Sequence, residues 1–568
     1  MFPPATEKQV RDMGWQGLDI ILVTGDAWID TPHIGAAVIA NVLMDAGYRV
    51  GIIAQPDVSG SEDITCLGEP ELFWGVTAGC MDSMVANYTA NKKRRRHDDL
   101  TPGGGNSLRP DRAAITYTNL IRRYFKNTRP VVLGGMEASL RRISHYDFWG
   151  DKVRRSILFD AKADILVYGM GEKTVLELAR KIQQKADITD VRGICYISGQ
   201  KPEDFIELPS HARVSTDKDL FRQMFESFYR HTDPVKASGL CQMQDTRYLV
   251  CNPPQAPLSS HELDRVHELD FRREAHPVHA NQGELRALET IRFSLITHRG
   301  CFGECHFCAI TAHQGKTVIS RSRDSIVREA RNLTRHPQFK GIISDVGGPT
   351  ANMYAMECRR KAEKGACQNR RCVGEKTCPE LAVNHAPQVE LLDRLRQIPG
   401  IRHVFIGSGI RHDLILADNK SGRAYLEALV SRHISGQLKI APEHSRDHIL
   451  ALMGKPRIEE TRKFLSMFAR TNRRLNIPRY LTCYFIAAYP GSTIADMQAA
   501  REFARRELGF IPEQVQVFTP GPSTVATLMY YTERTFPGNQ PLFVEKHPKR
   551  REKQKQLLVG RQKGKTPE

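Results

Sequence analysis

Long apolar runs are missing from this chain of 568 residues, where no stretch approaches the roughly 18 uninterrupted apolar residues that a membrane-spanning helix needs. A helical membrane protein is not expected, and neither is a membrane partner. A secretory start is missing as well. Met1-Phe-Pro-Pro4 has neither the charged opening nor the apolar core of a signal peptide, so the expected location is cytoplasmic. The thirteen cysteines are not spread as in a disulfide scaffold; they cluster, which favours metal binding in a reducing compartment. Acidic residues are the minority charge, 64 against 82 basic, for a net +18. That surplus suits an anionic partner such as RNA, and equally a generally basic surface with a basic tail.

With 40% apolar and 26% charged residues, the composition is that of a globular protein long enough for two or three domains. The chain is organised around Cys301-Phe-Gly-Glu-Cys305-His-Phe-Cys308, three cysteines at C-x3-C-x2-C after the largely apolar run Ile291 to Ile296. Thiolates at this density hold soft metal, most often as iron–sulfur clusters. A four-iron cubane with three protein thiolates leaves one iron open, and an open position is what lets a metal bind substrate. Gly300 and Gly303 clear side chains where the loop wraps, and Phe302 and Phe307 are placed to wall out water. A zinc site is the other reading, with His306 or His313 as fourth ligand; buried free thiols are a third.

Residues 18 to 55 read as strand, loop, helix and strand: Leu18 to Val23, then Gly35 to Ala46 with Gly47 as the stop, then Tyr48 to Ile53. The same grammar recurs at Arg129 to Gly135 and at Ala163 to Tyr168, which leads into a helix from Lys173 to Gln183. Such βαβ units imply a parallel, doubly wound sheet. The basic run Lys92 to Arg96, beside the glycine-rich Thr101 to Gly105, reads as a phosphate-binding loop or a mobile solvated one. The polar cluster Glu137 to Asp147 follows a strand end, where open α/β sheets place ligands. Residues 200 to 285 are poorer in pattern and read as a surface connector, with a domain boundary near 285.

From 286 to about 540, short strands each end in a polar or glycine-rich loop. They are Gly341 to Ser344 with Gly347-Gly348, His403 to Ser408, Gln437 to Glu443, Tyr480 to Gly491, and Val515 to Pro522. This order predicts a partial or full (β/α) barrel with its site at the strand C-terminal ends.

The cysteine spacing, with an aromatic residue before the last cysteine, resembles the radical S-adenosylmethionine (SAM) signature. Gly134-Gly-Met-Glu-Ala-Ser139, His145-Tyr-Asp-Phe-Trp149, His298-Arg-Gly-Cys-Phe302, His313-Gln-Gly315, Pro520 to Thr524 and Met529 to Thr532 resemble the YgiQ-type radical SAM family, from about residue 15 to 540. The resemblance implies an α/β protein with a cobalamin-binding-like domain over 1–285 and a radical SAM core over 286–540; the charged, polar composition beyond it predicts a basic, disordered tail over 541–568. The resemblance also implies an enzyme with Cys301, Cys305 and Cys308 on a 4Fe-4S cluster that cleaves SAM to a 5′-deoxyadenosyl radical. Gly347 and Gly348 fall where the SAM amino group is received, Ser408 and Glu443 at ribose and carboxylate positions, and Tyr489, Pro490 and Gly491 beside the adenine. An electron donor such as flavodoxin or ferredoxin is implied; the substrate and any catalytic side chain are not assigned. The cobalamin signature Asp-x-His-x-x-Gly is matched by Asp30-Thr-Pro-His33-Ile-Gly35 with the histidine one place late, which makes cobalamin doubtful. The rival reading is a non-catalytic iron–sulfur or zinc protein, with or without RNA binding.

A second set, Cys358, Cys367, Cys372 and Cys378, lies in an insertion at 356–380 with little apolar sequence of its own. Such a segment usually needs a metal staple, so the readings are a second iron–sulfur cluster, zinc, or no metal. The remaining cysteines read as core or free thiols.

Overall fold

The computed structural model describes residues 1–559. The chain divides into two compact units, Met1–Arg292 with Ala312–Gly315, and Phe293–Thr311 with Lys316 onward.

The first unit is built on nine strands. They are β1 (Ile20–Thr24), β2 (Val50–Ala54), β3 (Phe73–Thr77), β4 (Val131–Gly134), β5 (Ile165–Val167), β6 (Ile194–Ser198), β7 (Ile206–Leu208), β8 (Leu240–Gln244) and β9 (Arg247–Cys251). Across the sheet they run β7-β8-β9-β6-β5-β4-β3-β1-β2. From β2 to β5 all pairs are parallel, as the βαβ grammar requires. Helices α1 (Gly35–Asp45) and α2 (Glu172–Gln183) bury Leu43 and Leu178 in one core with Ile20, Val50 and Ile165. Strands β1 and β4 are buried apart from Gly134, which is why they read as near-continuous apolar runs.

Two expectations are corrected here. The segment read as a surface connector supplies β7, β8 and β9, and β5–β6, β6–β9 and β8–β9 are antiparallel. The pattern is hidden because buried Gln242 and Gln244 stand among the apolar positions; Gln242 receives the Ser144 N–H and Gln244 the Ser156 N–H. The basic loop is ordered. Tyr88 bridges Arg94 and His97 bridges Gly105, and Lys92 lies 4.9 Å over the Phe148 ring.

The second unit carries β10 (Ser294–Ile296), β11 (Ile342–Ile343), β12 (Asp345–Gly347), β13 (His403–Val404), β14 (Gln437–Glu443), β15 (Tyr480–Ala487) and β16 (Val515–Val517). The pairs β10–β12, β11–β13, β14–β15 and β15–β16 are all parallel, and Ile410–Ile440 is a parallel bridge. Strands that pair in chain order with helices between them make the partial (β/α) barrel expected from the loops. Helix α3 (Ile458–Leu475) sets Phe464 and Phe468 against the strand residues Leu438, Ile440 and Phe485. Helices α4 (Ile494–Phe503) and α5 (Val525–Thr532) follow.

The expected disordered tail is corrected in its middle part. Pro548–Val559 forms a helix, α6, with Arg551, Gln554 and Leu558 buried. Its charge is high, but those residues recur at spacings of three and four, so one face is shielded while lysines and arginines occupy the rest. The last part of the tail, 560–568, lies outside the described residues.

Leu558 belongs to the main core of this unit. Leu558→Ala is expected to lower the unfolding free energy by about 2–4 kcal/mol. Urea unfolding checks this, and a change inside experimental error would mean that the helix is not docked.

Candidate active site

The cysteine loop leaves β10 and is tied at once to the next strand end, where Thr297 N–H donates to Gly347 O at 2.7 Å. Gly300 has φ +77, and a Cβ there would lie 1.9 Å from Thr317 O, so no other residue fits. At Gly303 a Cβ would meet Arg411 Nη1 at 2.9 Å and Cys301 Sγ at 3.3 Å. Both glycines therefore serve close approach. Phe302 is 1% exposed and packs with Met353, Met356 and Val373, while Phe307 faces Tyr489 edge-on at 6.3 Å.

The three thiols lie in one another's field. Burial pushes Cys301 up; the Thr350 hydroxyl and the Gly303 N–H pull the other way, and Cys305 adds to the rise. Cys308 is pushed up to about 12, first by burial and then by Cys305 and Cys301. Thr350 Oγ1 and Gly303 N lie 3.4 and 3.3 Å from Cys301 Sγ. Arg411 Nη1 is 3.7 Å from Cys305 Sγ. Arg411 is itself held by Asp413, at 3.0 and 3.2 Å from Nε and 2.7 Å from Nη2. Burial works against charge on both, yet Asp413 and then Cys305 raise Arg411, and Arg411 draws Asp413 down to about 2. A buried cation thus stands beside the loop with its counter-charge already in place.

His306 is not a free fourth ligand. Nδ1 donates to Leu452 O at 2.6 Å, and Nε2 accepts from the Arg371 guanidinium. Burial and Arg371 push its pKa down to about 3, so the ring is neutral with both nitrogens engaged. His313 Nδ1 lies 3.0 Å from Ser139 Oγ. Among the described residues no three Cys, His, Asp or Glu close around a single ion. The thiolates of a cubane bind separate irons and stand farther apart than the ligands of one ion.

The residues expected to hold SAM lie at successive strand ends. A Cβ on Gly348 would lie 2.6 Å from His298 Nε2 and 2.7 Å from His298 O, so the Gly-Gly turn rests on the approach to Cys301. Gly347 faces Ser408 Oγ, which donates to Asp345 Oδ2 at 2.5 Å. Asp345 Oδ1 also receives Gly407 N and Ser408 N, joining the two strand ends. Glu443 ends β14 in the left-handed region at φ +70, where a non-glycine residue is strained. Burial raises its pKa against the pull of Lys455 and Arg411. Tyr489 is buried, with its hydroxyl donating to Leu452 O at 3.0 Å. Pro490 is buried beside it, and Gly491 (φ +94) donates to Phe543 O at 2.7 Å.

The insertion departs from its expected lack of a core. Cys358 and Cys372 are buried with Phe302, Val318, Val373, Leu381 and Leu414. Burial pushes Cys372 up to about 11, Lys361 opposes and Cys358 adds. Lys361 Nζ reaches Lys316 O at 2.6 Å, Glu304 Oε1 at 3.4 Å and Cys372 Sγ at 3.6 Å, which pins the insertion to the cysteine loop. Cys378 N–H donates to Cys372 O, and Arg370 Nη1 lies 3.9 Å from Cys378 Sγ. Cys367 is half-buried.

Sequence reasoning passed over Asp345, Asn352, Asp413, Lys361 and Arg371. Asn352 Nδ2 donates to Arg411 O at 2.9 Å and its Oδ1 receives Arg411 N at 2.8 Å, which fixes the turn that carries the cation. The signal was present in Gly409-Ile-Arg-His-Asp413, a buried-charge motif directly after a strand.

Two family models match, Radical SAM N-terminal over residues 2–294 and Radical SAM superfamily over 295–504. A UPF0313 protein of Fusobacterium nucleatum is 51% identical over 99% of both chains. One from Thermotoga maritima is 48% identical, again over 99% of both. Among solved structures, the radical SAM methyltransferase TsrM of Kitasatospora setae, with cobalamin and a 4Fe-4S cluster bound, aligns at TM-score 0.52 and 15% identity, over 95% of this chain and 82% of that one. The cobalamin-dependent radical SAM enzyme OxsB aligns at 0.50 and 11%, over 91% and 55%. At such identities the likeness is one of fold. Both neighbours bind cobalamin, so this comparison does not support the doubt drawn from the displaced His33.

Gly300→Ala places a Cβ into a carbonyl, whereas Gly509 (φ +74) has open space around it. Gly509→Ala is expected to cost about 1–2 kcal/mol of stability, the left-handed penalty alone, and Gly300→Ala clearly more. Urea unfolding of the pair tests this; equal losses would mean that the loop yields.

Proposed function

From the premise that this chain belongs to the radical SAM superfamily, among the UPF0313 proteins, we propose that Cys301, Cys305 and Cys308 hold a 4Fe-4S cluster with one iron left for SAM. The chain is accordingly a radical SAM enzyme. The observation that carries the ligand assignment is the loop itself, with three half-buried thiols close enough to feel one another's charge, one buried cation beside them, and the loop's own histidine fully engaged elsewhere. Membership in a family of enzymes counts against a purely structural metal site.

When bound, the cluster and SAM supply one-electron reductive cleavage to a 5′-deoxyadenosyl radical, which removes hydrogen from a substrate. The protein's own part is binding, orientation and exclusion of water. Gly347 and Gly348 offer bare backbone for close approach by the methionine end of SAM. Asp345 orients Ser408 toward that turn. Glu443, kept buried and strained, supplies a carboxylate for a polar group of the cofactor. Phe302, Phe307 and Tyr489 keep water from the thiolates, and Arg411 balances part of their charge. The reductant is a small electron carrier such as flavodoxin or ferredoxin, in a reducing cytoplasm consistent with thirteen free cysteines.

Cobalamin is given no step. Asp30 is taken by Asn41 and the Arg272 N–H, and at the strand ends of the first unit Asp26 faces Arg109 and Glu137 faces Ser83. The insertion cysteines Cys358, Cys367, Cys372 and Cys378 are proposed as a second metal site, an iron–sulfur cluster or zinc, resting on the pairing of buried Cys358 and Cys372. RNA as the substrate or partner draws support from one surface. Lys92 to Arg96 are all exposed on an ordered hairpin based on Tyr88 and Trp149, a cation-rich strip with rings for stacking.

Anaerobic reconstitution with iron and sulfide, followed by dithionite and SAM, should yield 5′-deoxyadenosine. Cys305→Ala should abolish that product and lower cluster iron by about a factor of ten or more, since a cubane does not persist on two thiolates. A reconstituted wild-type cluster that neither cleaves SAM nor changes its EPR signal on adding SAM would overturn the reading.

A further inference from the structure

We propose that Gln554, on the C-terminal helix α6, is a positioning residue for SAM: it holds the loop Ala488–Ser492 in the conformation that sets Tyr489 beside the cysteine loop. This deepens the radical SAM reading and rests on it. Gln554 is fully buried, and both ends of its amide are used on that one loop. Its Oε1 accepts from Ala488 N at 3.0 Å and from Ser492 Oγ at 3.3 Å, and its Nε2 donates to Ser492 O at 3.0 Å. The loop needs a clamp because it is strained. Ala488 has φ +54 and Gly491 φ +94, so the chain turns through two left-handed residues within four positions.

Two further contacts from the same C-terminal segment act on the same loop. Phe543 O receives Gly491 N–H at 2.7 Å, and Arg551 donates to Phe518 O. Phe518 in turn packs against the Tyr489 ring at 5.1 Å, and its N–H donates to Ala487 O at 2.9 Å. Tyr489 is thus held from behind by residues far along the chain.

Tyr489 is coupled to the cysteine loop through a shared acceptor. Leu452 O receives both the Tyr489 hydroxyl and His306 Nδ1, and His306 directly follows Cys305. The Tyr489 ring also meets Phe307. A loop that drifts when Gln554 is removed would carry Tyr489 off this acceptor and open the wall beside the thiolates. The side-chain amide of Gln554 is bonded to Ala488 and Ser492, so it acts through this loop, and its effect is on how well SAM is seated.

The test compares Gln554→Ala with Leu558→Ala, which weakens the docking of the same helix but removes no hydrogen bond to the loop. In the apo protein, hydrogen exchange at residues 485–495 should speed up in Gln554→Ala and stay near wild type in Leu558→Ala. After reconstitution, Gln554→Ala should keep its iron content and cluster spectrum, while its KM and Kd for SAM rise by about tenfold and kcat changes little. Leu558→Ala should match or exceed it in lowered Tm with unchanged SAM affinity. If both variants weaken SAM equally, or if Gln554→Ala lowers Tm alone, the positioning role is wrong. A wild-type protein that takes up iron yet binds no SAM overturns the functional reading, and the positioning role with it.

Discussion

Three half-buried thiols close enough to share a field set the terms for everything around them. Cys301 and Cys308 resist ionisation the more because neighbouring thiols are near, and cations and hydrogen-bond donors are what stabilise thiolates packed this closely. The surrounding structure reads as an answer to that constraint. Arg411 brings one cation, already paired with Asp413. Thr350 and the Gly303 N–H bring donors to Cys301. Gly300, Gly303 and Gly348 remove side chains so that neighbouring backbone can come close. What these groups leave unbalanced is the charge that iron would neutralise.

The loop keeps its shape because two later parts of the chain bear on it. From one side the insertion sends in Lys361 and Arg371, the first bridging Glu304, Lys316 and Cys372, the second occupying His306. From the other, the strand ends of the partial barrel deliver Asp345, Arg411, Glu443 and Tyr489 in chain order. The carbonyl of Leu452 is the junction, since it takes hydrogen bonds from both His306 and Tyr489. Such shared acceptors make a site rigid, because neither donor can move without leaving a buried group unpaired.

The chain resembles TsrM and OxsB in fold, yet much of the polar cluster in its first unit is paired internally. Asp26, Asp98 and Arg109 form a buried ion triad, and Glu137 is bound to Ser83. Buried charges of this kind resist removal of any one member more than they add net stability, so they specify the local arrangement of the loops after β1 and β3. The exposed charge sits elsewhere, on the hairpin Lys92 to Arg96, where an anionic partner can reach it.

The sequence by itself determined the parallel strands of both units, the cysteine loop and the glycines that shape it. Those are local: apolar runs ending in glycine-rich turns state a strand and its exit, and thiol spacing marks a candidate ligand set. It also exposed the order of the loops, and hence which strand ends meet. Tertiary structure alone decided the rest. The strands after residue 200 were hidden because buried glutamines broke the apolar pattern, and their partners lie nearly one hundred residues away. The roles of Asn352 and Asp345 could not be read because each satisfies backbone on another strand end. The C-terminal helix read as a solvated tail, since its composition is dominated by charge. Three buried residues at helical spacing made it part of the core, and only the folded chain shows that one of them, Gln554, reaches the loop beside the thiols.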